Sequence, residues 1–190
     1  DTEVLLAGLI IEGPEFVKKI EGMWAFAFFD RLDERVLFSR DRLGKKPLYY
    51  SNYKEHISCA SEIPALIELL DAPPTVDLKS NADYFRYSFC LPGTTAFKEI
   101  KELLPGHNLI ISKDGTCTQE PYWELPARRH FNNEAQTLEH CKELLSDAVK
   151  KRLVADVEVG AFLSGGIDSS LIVHHLARFS KTKPKTFTLG

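Results

Sequence analysis

Ser164, Gly165, Gly166, Asp168, Ser169 and Ser170 stand together in the run VGAFLSGGIDSS, between an apolar segment and the start of an amphipathic one. Two adjacent glycines leave backbone N–H groups unshielded, and a helix starting just after them aims its positive end at the same point. The ligand this arrangement suits is an anion, such as a phosphate group. Gly160 and Gly165 have the spacing of the Walker A glycines, but Gly166 takes the lysine position and Ile167 the Ser/Thr position, which excludes that motif. The run does not read GxGxxG either, so a dinucleotide loop is disfavoured. The structural alternative is a tight glycine turn with Asp168, Ser169 and Ser170 capping a helix.

The elements that must position this loop follow from periodicity. Glu134 to Leu153 carries Leu138, Cys141, Leu144, Leu145, Ala148 and Val149 at amphipathic helical spacing. A strand is expected over Val157 to Leu163, a helix over Asp168 to Phe179 and a strand over Thr186 to Leu189. The order α, β, α, β implies a parallel sheet of the doubly wound kind, with its ligand at the carboxyl ends of the strands.

Upstream, Thr2 to Ile11 reads as a helix capped by Asp1 and ended by Gly13-Pro14, and a second helix is expected over Glu15 to Glu21. Met23 to Asp30 alternates large Trp24, Phe26 and Phe28 with small Ala25 and Ala27, the pattern of a strand covered on both faces. With Arg35 to Ser39, Pro47 to Ser51 and His56 to Ala60 it is expected to form an antiparallel meander. Ser61 is placed to cap a helix over Glu62 to Leu70, and another helix is expected over Ala82 to Phe89. Asn108 to Ser112 and Thr116 to Tyr122, joined at Asp114-Gly115, read as a hairpin. The polar segment 125–133 containing Pro126 reads as a linker between a region 1–124 and a region 134–190.

Composition bounds the function. Of 190 residues, 44% are apolar and 27% charged, as in an ordinary soluble globular protein, and Lys plus Arg total 24 against 27 Asp plus Glu. No basic run marks a nucleic-acid footprint. Leu5 to Ile11 and Trp24 to Phe29 are too short to span a bilayer, so neither nucleic acid nor membrane is expected as a partner and a cytoplasmic location is. Cys59, Cys90, Cys117 and Cys141 are scattered without a CxxC pair, and free thiols are expected. Adjacent His174 and His175 point about 100° apart on a helix and cannot share a metal.

SGGIDSS after a buried strand resembles the pyrophosphate loop of the N-type ATP pyrophosphatases, which cut ATP between its α and β phosphates. The whole chain is similar to glutamine-hydrolysing asparagine synthetases of the B type. GMWAFAFFD, RDRLGKKPLYY and CASEIPAL resemble three blocks of that family's class II glutamine amidotransferase domain, and LPGTTAFKEIKELLPGHNL and PYWEL resemble the stretch leading out of it. ADVEVGAFLSGGIDSS resembles the opening of the synthetase domain, with Glu158 where proline is usual. The implied fold is an incomplete αββα-type α+β amidotransferase with layered antiparallel sheets, followed by the start of an α/β parallel-sheet ATP pyrophosphatase domain.

The resemblance implies that one half releases ammonia from glutamine while the other activates aspartate, or a related carboxylate, as an acyl-adenylate. Ammonia travels inside the protein and displaces AMP, and sequestration keeps it from water. ATP and Mg2+ are the implied cofactors and a homodimer the implied assembly. On matching positions, Ser164, Gly165, Gly166, Asp168 and Ser169 form the ATP pyrophosphate loop, Asp168 helps hold magnesium, and Phe162, Leu163 and Leu189 contact the adenine. Asp1 matches the aspartate that binds the glutamine ammonium group. No residue of the chain carries a catalytic role, because the family's nucleophile is an N-terminal cysteine expected upstream of Asp1. Arg40, Asp41 and Arg42 are family markers that suit a hairpin salt bridge as well as catalysis. The resemblance also leaves open another carboxylate acceptor, or a non-catalytic module that only binds nucleotide. A chain that opens inside one domain and closes just past the loop of another reads as an excised piece, expected to be inactive alone.

Overall fold

The computed structural model describes residues 1–53, 56–127 and 133–189, in two compact units, Asp1–Pro126 and Ala127–Gly190. Most of the expected linker, residues 128–132, lies outside the described residues.

In the first unit, Asp1 caps helix α1 (Thr2–Glu12), its carboxylate accepting the Thr2 N–H at 2.7 Å, and Gly13 ends the helix at φ 66°. The second helix expected over Glu15 to Glu21 is instead a 3-10 segment, Gly13–Lys19. Pro14 sets its start, and the tighter coil turns Val17 fully inward.

Seven antiparallel strands follow: β1 (Ala25–Asp30), β2 (Arg35–Arg40), β3 (Tyr49–Tyr53), β4 (His56–Ala60), β5 (Ile100–Glu102), β6 (His107–Ile111) and β7 (Cys117–Pro121). They form a four-stranded sheet ordered β1-β2-β6-β7 and a three-stranded sheet ordered β4-β3-β5. The expected four-strand meander is therefore wrong, since the chain leaves the first sheet after Arg40. Phe38, Leu109 and Ile111 of the larger sheet pack with Leu48, Tyr50, Ile57 and Cys59 around the smaller one. On the other side, Leu37, Ile110, Phe26, Phe28 and Tyr122 bury against Leu9, Phe16 and Val17. A helical layer, a four-stranded sheet and a three-stranded sheet are thus stacked, and β1, β2 and β6 send alternate residues to the two cores by their period of two.

Among the described residues β1 is an edge strand, and its second face is exposed at Ala27 and Phe29 rather than covered as expected. The inter-sheet core reaches only as far as Ala25.

Helix α2 (Ile63–Ile67) is shorter than expected, and Glu62 rather than Ser61 stands at its cap, because Pro64 fixes the first turn. It packs against β3 and β4 through fully buried Leu66. Helix α3 (Leu78–Tyr87) starts four residues earlier than the expected Ala82, since Asp77 accepts from Lys79 N–H at 3.1 Å, and Ser88 ends it in the left-handed region at φ 65°. The β6–β7 hairpin turns at Asp114-Gly115, where Gly115 has φ 81° and Asp114 Oδ1 accepts from Thr116 N–H at 3.0 Å.

In the second unit, Asn133 caps helix α4 (Glu134–Lys151) by accepting from Ala135 N–H at 2.8 Å. Strand β8 (Ala161–Phe162), helix α5 (Ile167–Phe179) and strand β9 (Thr186–Phe187) follow, with β8 and β9 parallel. Strands were expected over Val157 to Leu163 and Thr186 to Leu189. Both are shorter, because among the described residues each has a partner on one side only.

Candidate functional site

The loop between β8 and α5 is built from the strand outward. Leu163 N–H donates to Phe187 O at 2.9 Å, and Leu163 O accepts from Thr188 Oγ1 at 2.7 Å, so the end of β8 is tied to β9. Gly165 then turns the chain at φ 80°, in space with no atom within 4 Å of where a Cβ would stand. Ser169 Oγ accepts Ser164 N–H at 3.3 Å, lies 3.1 Å from Ser164 Oγ and donates to Gly166 O at 3.1 Å. Ser170 Oγ donates to the same carbonyl at 2.8 Å. Two serines from the first turn of α5 therefore fold the loop back onto the helix start.

Gly166 is the N-cap of α5 and offers no side-chain oxygen, so the first-turn N–H groups have no capping side chain. Asp168 lies exposed in that turn, and no hydrogen bond or ion pair engages its carboxylate among the described residues. Gly166 N–H is itself engaged by Ser164 Oγ at 3.4 Å, but the uncapped first-turn amides of α5, two hydroxyls and a carboxylate form an arrangement able to hold a phosphate group with a divalent cation. Sequence reading brought Ser164, Gly165, Gly166, Asp168 and Ser169 together, and the structure places all five within this loop and turn.

Phe162 is 75% exposed and its ring lies 6.3 Å from that of its register partner Phe187. Leu189 is 93% exposed and Leu163 half-buried. The sequence assigns no site role to Phe187 and Thr188, which lie in the strand expected over Thr186 to Leu189 and tie it to the end of β8. A cavity of about 350 Å3 opens between α4, β8 and α5, lined mainly by apolar groups including Val149, Leu153, Phe162, Ile172 and Leu176 and reached by Ser169.

Asp1 belongs to the other unit. One oxygen of its carboxylate caps α1, and among the described residues the other takes no hydrogen bond, which leaves it free for a cationic group.

The Arg40-Asp41-Arg42 run is structural. Buried Arg40 donates to Glu102 Oε1 at 2.7 Å, Leu103 O at 2.6 Å and Lys46 O at 2.9 Å. The expected hairpin salt bridge is thus a bridge between β2 and β5, in different sheets. Asp41 accepts the N–H groups of Leu43, Lys45 and Lys46 and shapes the turn. Arg42 donates to Lys18 O and Ile20 O. Tyr122 donates to Arg40 O at 2.7 Å, and burial, with Asp41 nearby, pushes its phenol above the ordinary value. Burial also raises the Cys59 and Cys90 thiols, the opposite of what a thiolate nucleophile needs.

Residues 1–123 match the family model described as a glutamine amidotransferase domain. The chain belongs to the glutamine amidotransferase domain family. Residues 140–190, which hold the whole loop, match the asparagine synthase family model. The chain is 38% identical over 173 residues to asparagine synthetase [glutamine-hydrolyzing] 3 of Bacillus subtilis, covering 90% of the chain and 28% of that protein. It is 36% identical over 194 residues to putative asparagine synthetase [glutamine-hydrolyzing] 2 of Methanocaldococcus jannaschii, covering 100% of the chain and 38% of that protein. Amidase chry2 of Gibberella zeae is 33% identical over 185 residues, covering 94% of the chain and 27% of that protein. The chain thus spans about a third of the length of these relatives. Among its described residues no helix is long and apolar enough to cross a membrane.

Proposed function

We propose that this chain is part of a cytoplasmic, homodimeric, ATP-dependent asparagine synthetase that hydrolyses glutamine and amidates aspartate through a β-aspartyl-adenylate, releasing AMP and pyrophosphate. Residues 1–124 form the later part of an αββα amidotransferase domain, 125–133 a linker, and 134–190 the start of an ATP pyrophosphatase domain. The observation that carries the reading is the uncapped start of α5 behind Ser164, Gly165 and Gly166, with Asp168 unpartnered beside it among the described residues.

The uncapped first-turn amides of α5 and the Ser164 and Ser169 hydroxyls hold the leaving pyrophosphate. Asp168 would supply a carboxylate to a magnesium ion, whose chemistry there would be to offset the charge of the leaving pyrophosphate. This coordination needs only one or two protein carboxylates, which is what the loop offers. Phe162, Leu163 and Leu189 give the adenine an apolar seat. Asp1 binds the glutamine ammonium group, and the cysteine nucleophile comes from the segment before it.

A second reading keeps this chemistry and changes the acceptor to another carboxylate, and the similarity to amidase chry2 is what favours it. Pyrophosphate release by the longer polypeptide, supplied with ATP, Mg2+ and aspartate or other carboxylates, separates the two. Aspartate-dependent pyrophosphate supports the first reading, dependence on a different carboxylate supports the second, and phosphate in place of pyrophosphate refutes adenylation. Asp168→Asn suppresses pyrophosphate formation and leaves glutamine hydrolysis in place.

A further inference from the structure

Helix α5 carries the loop at its start, and what holds α5 in place is unevenly distributed along it. A void lies along part of its contact with α4. The 350 Å3 cavity lies there, lined from α5 by Ser169, Ile172 and Leu176 and from α4 by Ala148, Val149 and Arg152. Apolar walls around a void resist sliding weakly, because no interlocking side chain is lost when they shift.

One turn beyond Ile172, His175 is 5% exposed, and its Nδ1 lies 3.0 Å from Ser146 Oγ on α4. The adjacent His174 ring meets it edge-on at 5.4 Å and is itself exposed. A hydrogen bond from a half-buried side chain to a buried one fixes the register of two helices. Slipping α5 by one turn, 5.4 Å, would break the bond and leave a polar group buried without a partner.

We propose that the Ser146–His175 hydrogen bond is the positioning contact that sets α5 along α4 and thereby places the Ser164–Asp168 loop for the triphosphate. The proposal rests on the ATP-binding reading above. Ser146 and His175 touch no reacting atom. His175 lies seven residues, about 10 Å, along the helix from Asp168.

The test uses the full-length protein with MgATP, labelled pyrophosphate, glutamine and the carboxylate acceptor, measuring nucleotide binding, ATP–pyrophosphate exchange, glutamine hydrolysis and thermal unfolding side by side. Ser146→Ala and His175→Ala are each expected to raise KM for ATP by about 2- to 30-fold, with kcat and glutamine hydrolysis changed less. The double variant should cost no more than the worse single one, since both remove one bond. Ser146→Thr, which keeps the hydroxyl, should restore KM. Should His175→Ala fail to fold, half-buried Ser146 still supplies the decisive pair of variants. An unchanged KM in Ser146→Ala, or a rise that Ser146→Thr does not reverse, overturns the proposal. Absence of both nucleotide binding and exchange in the unaltered protein refutes the ATP reading itself, an outcome distinct from equal binding by all forms.

Discussion

Arg40 on β2 and Glu102 on β5 meet at 2.7 Å across two different sheets, and the Arg40 side chain is only 7% exposed. The same guanidinium nitrogen donates to Leu103 O at 2.6 Å, so the edge of the smaller sheet is held to the larger by one buried group. Removing one member of a buried pair leaves its partners desolvated and unmatched. Arg40→Ala is expected to destabilise the protein by ~3 to 5 kcal/mol in urea unfolding. Glu102→Gln keeps an acceptor for Arg40 and should cost only ~1 kcal/mol. Equal losses in the two variants would show that the ion pair, rather than the bonds to backbone carbonyls, holds the sheets.

Gly8 lies buried in α1 where a Cβ would overlap the Phe16 ring. Glycine costs helix stability relative to alanine, so an exposed Gly8→Ala would stabilise. Here it should destabilise by ~1 to 3 kcal/mol through overpacking. Phe16→Leu, which frees the space, should make the added methyl far less costly. A double-mutant cycle on thermal unfolding reads the coupling, and additive effects would mean the ring moves aside freely.

Acid should loosen α3 through its cap. Asp77 Oδ2 accepts the Ser80 hydroxyl at 2.8 Å, and that bond, with the Ser80 and Lys79 amides, holds the carboxyl below its ordinary 3.8. A depressed folded value means that the stabilisation is complete above the unfolded value and is lost as pH falls through the folded one. The stability difference between the native protein and Asp77→Asn should therefore be constant near neutrality and shrink below pH 3.8, measured by circular dichroism melts. A difference that stays constant down to pH 2 would rule the carboxylate out as the source.

The elements near the loop were legible because their signals are local. SGGIDSS after an apolar run fixes a strand, a turn and a helix start within twelve residues, and Asp114-Gly115 marks its hairpin in the same way. The pairing of strands was not local. Nothing within β1 to β4 says that β2 turns from β3 toward β6, some seventy residues on, where Leu37 and Phe38 find Ile110 and Leu109. Ile100–Glu102 escaped notice because three residues show no period. Asp77 was a readable cap passed over, whereas Arg40 gave its charge but not its partner, since Glu102 lies 62 residues away.

The two loop glycines separate folding from ligand binding. Gly165 sits at φ 80° with open space around it, while Gly166 has φ −77° and a Cβ there would rest 3.5 Å from Ser164 Oγ, an ordinary contact. Gly165→Ala should therefore cost ~1 to 2 kcal/mol from the left-handed backbone alone. Gly166→Ala should leave stability within ~0.5 kcal/mol. If the loop serves only as a turn, Gly166→Ala has no further consequence. If its amides face a phosphate, the new methyl stands between anion and backbone, and affinity for MgATP should fall in both variants, although only one is less stable. Isothermal titration of the full-length protein with MgATP, beside thermal melts, gives both readings, and full affinity in Gly166→Ala would remove the phosphate from the loop.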